Sequence, residues 1–441
     1  GYRALKSNTT GNNNSAFGAE AMQSNLTGFA NVAGGVQALA FNTTGANNVA
    51  IGYRALYSNV SGNGNSAFGY ESLKANTTGG DNVALGFRAL KSNTTGLSNV
   101  SIGGSALESN TTGNYNTAIG KSALKSNTTA GYGTAFGYFA LGNNTSGAFN
   151  TAFGINVLKE NTTGQNNSAS GSQSMVANTT GRYNSAFGAQ TLGANLTSDS
   201  NSAFGYQALK NNTTGTENSA AGREALLYNL TGSGNVAHGF RSLRSSTGSN
   251  NTAAGHQSGY SLTTGALNTF SGKSSGYYIT TGNKNSILGS FDGNEGGLDI
   301  RTSNNNIVLS DGDGNPRLHI DGSGAAAFTG EITANGGISL VDNKKLTFGT
   351  GDDLEVYHDG NNSYINDVGT GNLFIRGANV VITTAGGTKY VEGGAHVLRL
   401  YHTGNEKLRT SAAGVFVTGG MTAGTLTAGS GSVTDSSGAI S

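Results

Sequence analysis

The sequence predicts an all-β protein: an elongated parallel β-solenoid of 17-residue coils, assembled as an intertwined homotrimer and followed by a β fibre region of short strands. Three observations lead to this fold class. A 17-residue unit repeats along most of the chain, glycine accounts for 72 of the 441 residues, and only 11% of the residues are charged. A strict short period indicates stacked units, none of which can bury its apolar face alone.

The repeating unit begins at Asn8 with Asn-Thr-Thr-Gly and returns at every seventeenth residue through Asn229. One residue is then missing near Ser245, and the period resumes at Leu262 and Ile279. Seventeen residues are too few for two full strands, a helix and their loops, but they suit one coil of a narrow solenoid. With a rise of about 4.8 Å per coil, such a solenoid of seventeen coils spans roughly 80 Å.

The composition argues against several other classes. The chain has one proline, no tryptophan, no cysteine and a net charge of +1. Helical bundles have more charged surfaces, disordered chains have more charge or proline, and collagen has a strict Gly-x-y period. The balanced charge gives no reason to expect nucleic acid as a partner, and no apolar run reaches the roughly 20 residues of a membrane span. Because the chain enters the repeat in its middle, at Gly1, we expect it to be a piece of something longer.

Two columns of the repeat have a clear expected role. Glycine occupies the column of Gly18 in every coil, which predicts a positive φ or a contact too close for a Cβ. Asparagine occupies the column of Asn14, except at Gly133, and stacked asparagines predict a hydrogen-bonded ladder. Asn-Thr-Thr-Gly is expected to form the corner of the coil, where glycine supplies the turn conformation and threonine hydroxyls bond neighbouring backbone.

The segment Ser15-Ala16-Phe17 and its equivalents predict a short strand. Because strand side chains alternate between two faces, we expect Phe17 to fill the interior of its own coil and Ala16 to form an outer face of small residues. The apolar pair Ala21-Met22 follows in the same unit. Its spacing fits a strand or irregular coil, which we favour, or a single helical turn.

One coil of this kind would enclose little more than one phenylalanine and one leucine. So small an interior predicts that several identical chains share a core, most simply three chains around one axis. This is the physical reason for expecting a homotrimer.

The period stops after Gly289, so we divide the chain into a repeat solenoid (1–290), a β connector (291–345) and a C-terminal β fibre region (346–441). Short alternating segments separated by Asp-Gly and Gly-Asn turns predict strands in the last two parts. Each of them is too short to be stable as an isolated sheet. The predicted strands are 306–309, 317–320, 345–348, 354–357, 372–375, 380–382, 397–401 and 415–417.

The repeat motif, as in Asn48-Val49-Ala50-Ile51-Gly52 and Asn65-Ser66-Ala67-Phe68-Gly69, resembles the head repeats of trimeric autotransporter adhesins, which are shorter. The Asn-Thr-Thr-Gly repeats are similar to those of phage tail-fibre and related surface-fibre proteins. The segments 354–365, 371–377 and 408–419 resemble tail-fibre proteins of marine phages. These resemblances imply a trimeric fibre on a virion, as a tail fibre, or on an extracellular surface.

We predict no catalytic, cofactor-binding or metal site. Asp311, Asp313 and Asn315 have the spacing that begins a calcium loop. However, Pro316 stands where the loop glycine belongs and Gly322 where the bidentate glutamate belongs. A polar turn is therefore the preferred interpretation.

Three further patterns could indicate functional sites, but each has a structural explanation that we prefer. Asp352, Asp353, Glu355 and Asp359 could supply the carboxylate pair of a glycosidase, but turn carboxylates beside glycine are usually solvated. The repeated Asn-x-Thr triplets are glycan acceptors in secreted proteins, yet here they recur because the corner recurs. The histidines show no metal-ligand spacing, and the one in the Phe/Ile column is interpreted as a tolerated core substitution. The six are His238, in that column, His256, His319, His358, His396 and His402.

The expected function is that of a structural fibre protein, not an enzyme, which presents loops for attachment to a host or surface. The expected partners are two further copies of the chain and a cell-surface receptor, either a glycan or an outer-membrane component. A polysaccharide depolymerase on a virion is one alternative, and it should show carboxylates clustered on adjacent coils. An ice-binding solenoid is another, but Leu26, Val60 and Leu196 interrupt the first threonine column and argue against a flat ice face.

Overall fold

The computed structural model describes residues 1–394, 397–412 and 414–419, and this part of the chain is all-β without a helix. No helix that could span a membrane therefore occurs in the described residues. The chain divides into two compact units, 1–332 and the residues from Thr333 onward. The predicted fold class, a parallel β-solenoid followed by short strands, is confirmed. The three-part division of the chain stays a prediction.

The first unit is built around one strand of three residues per coil. Each strand pairs in parallel with the strand of the next coil, so that Ala50 lies opposite Ala67 and Ala135 opposite Ala152. The solenoid strands are β1 (Ser15–Phe17), β2 (Val32–Gly34), β3 (Val49–Ile51), β4 (Ser66–Phe68), β5 (Val83–Leu85), β6 (Val100–Ile102), β7 (Thr117–Ile119), β8 (Thr134–Phe136), β9 (Thr151–Phe153), β10 (Ser168–Ser170), β11 (Ser185–Phe187), β12 (Ser202–Phe204), β13 (Ser219–Ala221), β14 (Val236–His238), β15 (Thr252–Ala254), β16 (Thr269–Ser271) and β17 (Ser286–Leu288).

The segment after each strand is a pair of tight turns, neither a strand nor a helical turn. Glu20 and Met22 both lie in the left-handed region, with φ of 60° and 49°. The N–H of Met22 donates to the carbonyl of Ala38 in the next coil. This backbone aims the side chain of Met22, a leucine in most coils, into the interior. A left-handed non-glycine residue costs about 1–2 kcal/mol, which burial of a large apolar side chain, about 1.5–3 kcal/mol, offsets.

Both glycine columns are explained by close contact between coils. Gly120 has a φ of +131°, and a Cβ there would lie 2.5 Å from the carbonyl oxygen of Gly137, as the sequence predicted for this column. The corner glycines differ from the expectation, because their φ is not positive. A Cβ on Gly28 would instead lie 2.4 Å from the carbonyl oxygen of Gly45. The corner glycine is therefore favoured by close packing and not by a turn conformation, and Ala130 and Ser198 replace it in two coils.

The interior of the solenoid is complete within one chain. Beyond the first coil, the middle residue of each solenoid strand and the leucine of each double turn are buried, as Ala118 and Leu107 illustrate. The same pattern runs through most coils as one continuous apolar cluster. Sister chains are therefore not required to fill the coil, which removes the reason first given for a homotrimer.

The interior changes near the end of the solenoid. Gly259 and Gly276 replace the leucines of the double turn, and the strand position normally held by alanine carries Phe270. A Cβ on Gly259 would lie 2.9 Å from the ring of Phe270, and one on Gly276 would lie 2.7 Å from it. The buried ring therefore occupies the space that two leucines leave.

The parallel stack continues one coil past the sequence period. The chain first forms a small hairpin and then β20, which pairs in parallel with β17. Asn306 follows Asn285 by 21 residues, so the hairpin is an insertion in an otherwise normal coil. The remaining strands of the unit are β18 (Asn294–Glu295), β19 (Leu298–Asp299), β20 (Ile307–Ser310), β21 (Pro316–Ile320) and β22 (Ala326–Phe328), the last two antiparallel.

The second unit contains two antiparallel sheets. The three-stranded sheet consists of β23 (Lys345–Phe348), β24 (Leu354–His358) and β25 (Ser363–Asp367), and the five-stranded sheet of β26 (Asn379–Thr383), β27 (Lys389–Gly394), β28 (Val397–His402), β29 (Asn405–Ser411) and β30 (Gly414–Val417). The strand predicted at 372–375 is wrong, because no described strand pairs with this segment. The other predicted strands are present, with ends that differ by one residue.

Substitution of alanine for Gly120 tests the coil-to-coil contact. The new Cβ would meet backbone of the next coil in a conformation that disfavours side chains, so we expect Gly120→Ala to reduce the free energy of unfolding by about 1–3 kcal/mol. Gly104→Ala is the matched control, because a Cβ there has no neighbour within 4 Å. Thermal unfolding of both variants is the measurement, and equal stability of the two would contradict this account.

Candidate interaction surface

The outer face of the solenoid sheet carries apolar side chains, which reverses the expected orientation of the strand. Beyond the first coil, the middle residue of each solenoid strand, such as Ala67, is buried, whereas the third residue points outward. The expectation that Phe17 fills the interior and Ala16 lies outside was wrong, because Phe17 is 74% exposed. The leucines of the double turn and the asparagine columns already fill most of the coil, so a small residue, alanine in most coils and Ser101 in one, fits opposite them.

We call the outward apolar side chains of this face the apolar strip. The strip combines the third residue of each strand with the residue that follows the next glycine. A contiguous exposed apolar surface longer than a few side chains is typical of an interaction site. Its exposed members are Phe17, Val36, Ile51, Tyr53, Phe68, Tyr70, Leu85, Phe87, Phe136, Tyr138, Phe153, Ile155, Phe187, Phe204, Tyr206, Leu288 and Leu309.

Aromatic rings of the strip stack from coil to coil. The ring centroids of Tyr53 and Tyr70 are 5.3 Å apart, and those of Phe187 and Phe204 are 5.1 Å apart. Arginine side chains lie beside the strip, where the guanidinium of Arg54 packs over Tyr53 at 5.1 Å. The strip is therefore ordered by its own contacts and has a polar border, as protein interfaces do.

A buried asparagine ladder runs behind the strand, and the sequence predicted it. The backbone N–H and Nδ2 of Asn48 donate to Oδ1 of Asn31 at 3.0 and 3.1 Å. Its Nδ2 also donates to the carbonyl of Gly62 at 2.8 Å. These amides have almost no solvent exposure, so every polar group must be paired within the protein. At Gly133 the side chain is missing, and the backbone N–H of Gly133 alone donates to Asn116.

A second ladder at the corner was not foreseen, although the unbroken run of asparagine in that column was a visible signal. Nδ2 of Asn42 donates to Oδ1 of Asn25 at 2.7 Å and to the carbonyl of Gly45 at 2.9 Å. These asparagines are the acceptors of the Asn-x-Thr triplets. Because their amide nitrogens are buried and paired, the folded solenoid cannot be glycosylated there. The ladder ends where Ser246 replaces asparagine, and Oδ1 of Asn229 is left without a partner.

The two threonines of the corner have different surroundings. The hydroxyl of Thr94, in the first column, donates to the carbonyl of Thr111 at 3.0 Å in the next coil, as the sequence predicted. The hydroxyls of the second column, such as Thr95, have no hydrogen bond within the described chain and are mostly exposed. The corner thus presents one line of free hydroxyls.

Glu71 is a nearly buried carboxylate on the double-turn face, with 6% exposure. Nζ of Lys74 lies 2.7 Å from it, and Lys91 and Arg88 each lie 3.4 Å away. The hydrogen bond from Lys74 lowers the pKa of Glu71 below its ordinary value of 4.5, against the opposing effect of burial. The ionised form is therefore favoured in the folded coil.

Glu224 has the same arrangement several coils later, with 5% exposure. Arg241 is 2.8 Å, Arg223 3.1 Å and Arg244 3.2 Å from its carboxylate. The hydrogen bond from Arg241 is the largest cause of a lowered pKa at Glu224. Both clusters stabilise the coil and leave no carboxylate free for acid–base chemistry.

The calcium-like segment is a polar turn between β20 and β21. Oδ1 of Asp311 accepts the backbone N–H groups of Asp313 and Asn315 at 3.1 and 2.9 Å, and Nη2 of Arg317 lies 2.5 Å from Oδ2. Burial raises the pKa of Asp311, but the hydrogen bonds from Arg317 and Asn315 outweigh it and hold the value at about 2. The guanidinium takes the position beside the carboxylate that a cation would need.

The carboxylates between residues 352 and 359 are not paired with each other. Glu355 binds Nζ of Lys345 at 2.6 Å, and Asp359 accepts the hydroxyl of Tyr364 at 2.9 Å. Asp353 lines a cavity of about 350 Å³ together with Asp367. Asp352 lies in a turn with φ of 55°. The structure therefore brings none of the four predicted carboxylates together as a glycosidase pair.

In the described residues, no three His, Cys, Asp or Glu side chains of one chain form a metal site. His238 was interpreted as a core substitution, but its column points outward and its ring is exposed. His256 stacks on Phe240 at 5.0 Å, His319 contacts Asn306 at 2.9 Å and His358 contacts Ser363 at 3.1 Å. His402 is exposed at the end of β28, and His396 lies outside the described residues.

The fold and this surface define the chain as a β-solenoid repeat protein with a complete interior and an uncovered apolar face. Comparisons with protein-family models, with curated proteins and with solved structures find no match. The class therefore rests on the strand pairing and the 17-residue register.

Restoring the broken ladder should stabilise the solenoid. In Gly133→Asn, the new Nδ2 would donate to Asn116 and the new Oδ1 would accept from Asn150, which adds about 1 kcal/mol to the free energy of unfolding. A Cβ at this position lies 3.0 Å from Oδ1 of Asn116 and 3.3 Å from Leu124, and both neighbours are side-chain atoms that can shift by a few tenths of an ångström. Denaturant unfolding measures the effect, with Gly104→Asn as the control outside the ladder. A less stable Gly133→Asn protein would contradict it.

The two buried glutamates predict acid sensitivity. Their folded-state pKa values lie below 4.5, so their contribution is complete above that pH and is lost as pH falls through the folded values. We expect the melting temperature to decrease below about pH 4.5. In the double variant Glu71→Gln, Glu224→Gln this pH dependence should be weaker, while Glu217→Gln, which removes a glutamate without an ion pair in the described chain, should retain it. Identical pH profiles for all three proteins would refute the assignment.

Proposed function

We propose that this chain is a structural fibre protein of a virion or cell surface, and that three copies associate through the apolar strip. The observation that carries the proposal is the uncovered outer face of a parallel sheet. Parallel sheets are normally covered on both faces, and here only the inner face is covered by the chain itself. A covering partner must therefore match a narrow strip that is repeated at every coil.

A second copy of the chain is the partner that fits this description. The sheet face that carries the strip is as long as the solenoid, about 80 Å, and one three-residue strand is about 10 Å wide. The whole face therefore measures about 800 Å², the area that each partner contributes to a standard stable interface. The exposed apolar members lie between Phe17 and Tyr206 and resume at Leu288. A threefold axis parallel to the solenoid would bring the three strips together at equal height. Each coil would then contact the same coil of the other two chains.

The remaining faces would then be the ones that reach a host or surface. The double-turn face carries charged and amide side chains such as Lys74, Arg241 and Gln190, and the corner carries free threonine hydroxyls. Such groups suit hydrogen bonding to a glycan or to an outer-membrane component, which is the receptor class we propose. The resemblance to tail-fibre repeats supports the same function.

The two alternatives have less support. A depolymerase needs two carboxylates placed around a bond, and the carboxylates singled out above each have partners of their own. For ice binding, the hydroxyls of the first threonine column already donate to the next coil, as Thr94 does. The free hydroxyls of the second threonine column form a single line, whereas ice binding needs a flat two-dimensional array of such groups.

The oligomeric mass of the purified chain tests the proposal. Light scattering should give three times the mass of one chain, and the double variant Phe136→Asp, Phe153→Asp should be monomeric because it places charges in the apolar strip. The control is Thr129→Asp, Ser146→Asp, which adds the same charge to the corner of the same coils and should remain trimeric. A monomeric parent chain, or a trimer insensitive to the strip variant, would overturn the proposed assembly.

A further inference from the structure

One position in the strand column of the apolar strip differs chemically from the rest of that column. The third residue of the solenoid strands is Phe, Ile, Leu or a small residue, except in β14, where it is His238. The strand register places His238 directly between Ala221 and Ala254. The imidazole is therefore the one titratable group in this column, and small methyl side chains lie on both sides of it along the stack.

The ring of His238 is not needed by its own chain. Its only described contact is with the hydroxyl of Ser219, 3.4 Å from Nε2, which is long for a hydrogen bond. It is exposed, and it faces the same side as the phenylalanines of the strip. The nearby His256 is different, because its ring is stacked on Phe240. His238 is thus free to bind a group that lies outside the chain.

We propose that the three His238 side chains of the trimer form a site for a divalent transition-metal ion of the zinc type. This inference rests on the proposed function, because a threefold axis along the strip brings the three equivalent imidazoles to one height. Three neutral histidine nitrogens with an open fourth position are a ligand set that zinc accepts. No residue of a second type is required.

The alanine neighbours explain why the site has room. A phenylalanine at the position of Ala221 or Ala254 would fill the space next to the three rings. With alanine at both positions, the three imidazoles can turn their nitrogens toward a common point, and a water molecule can complete the coordination. The metal would also remove the cost of placing three polar rings in an apolar interface.

Metal stoichiometry on the untagged full chain tests the inference. After equilibration with excess Co²⁺ and removal of free ions, we expect one ion per three chains and the visible absorption of tetrahedral Co²⁺, which Zn²⁺ abolishes. His238→Ala should lower Co²⁺ affinity at least tenfold, and His256→Ala should bind like the parent. The mass of each protein is measured by light scattering in the same samples.

The outcomes separate the two proposals. If the parent chain is monomeric, the proposed assembly fails and this site fails with it. If the chain is trimeric but binds no Co²⁺, or if His238→Ala binds Co²⁺ as well as the parent does, the metal site is wrong and the trimer stands. A trimer that retains its mass in His238→Ala but loses the ion supports the site.

Discussion

Hydrogen bonding between buried asparagine amides of successive coils is the interaction on which this fold depends. A side-chain amide has both donors and acceptors, so one asparagine per coil can pair with the coil before it, the coil after it and a backbone carbonyl. Asn48 and Asn42 show this in the two ladders. Both ladders are inaccessible to water, where an unpaired amide costs about 1–3 kcal/mol, so each coil is held at a fixed height relative to the next.

Other features of the coil follow from that fixed height. Since the coils stack at strand spacing, the backbones at the Gly18 column touch, and glycine stands there in every coil. The Gly28 column is also close-packed but holds Ala130 and Ser198 in two coils. Since two amide columns occupy part of the interior, the apolar core of a typical coil is limited to two alanines and one leucine, such as Ala50, Ala55 and Leu56. The leucine reaches the interior only from a left-handed backbone, as at Leu107 with φ of 48°. The residues that recur in the repeat are therefore determined more by contacts between coils than by contacts within one coil.

Much of this could be predicted from the sequence, and the parts that could not have identifiable reasons. The period, the glycine contact and the Asn14 ladder are visible because each is one residue type repeated at one spacing. The faces of the strand were assigned wrongly because side-chain alternation over three residues allows two arrangements, one with Ala16 in the interior and one with Phe17 there. The choice depends on Met22 and its equivalents, whose left-handed turns no periodicity rule describes. The second ladder was missed because Asn-Thr-Thr-Gly also reads as an ordinary polar turn.

The two faces of the solenoid strand have different roles: the inner face belongs to the core of one chain, and the outer face is available for association with other chains. Because the alanine and leucine columns are already buried in one chain, the interior gives a single coil stack its stability without help from another chain. The outer strip contributes nothing to that interior, so its residues can change without loss of the fold, and they do: phenylalanine, isoleucine, serine, alanine and histidine all occur in one column. The neighbouring inner column is alanine in most coils, because its side chains must fit the interior of the coil. Self-association through the strip would therefore join solenoids that are already folded, and a residue such as His238 can carry a separate chemical role because the coil behind it does not depend on it.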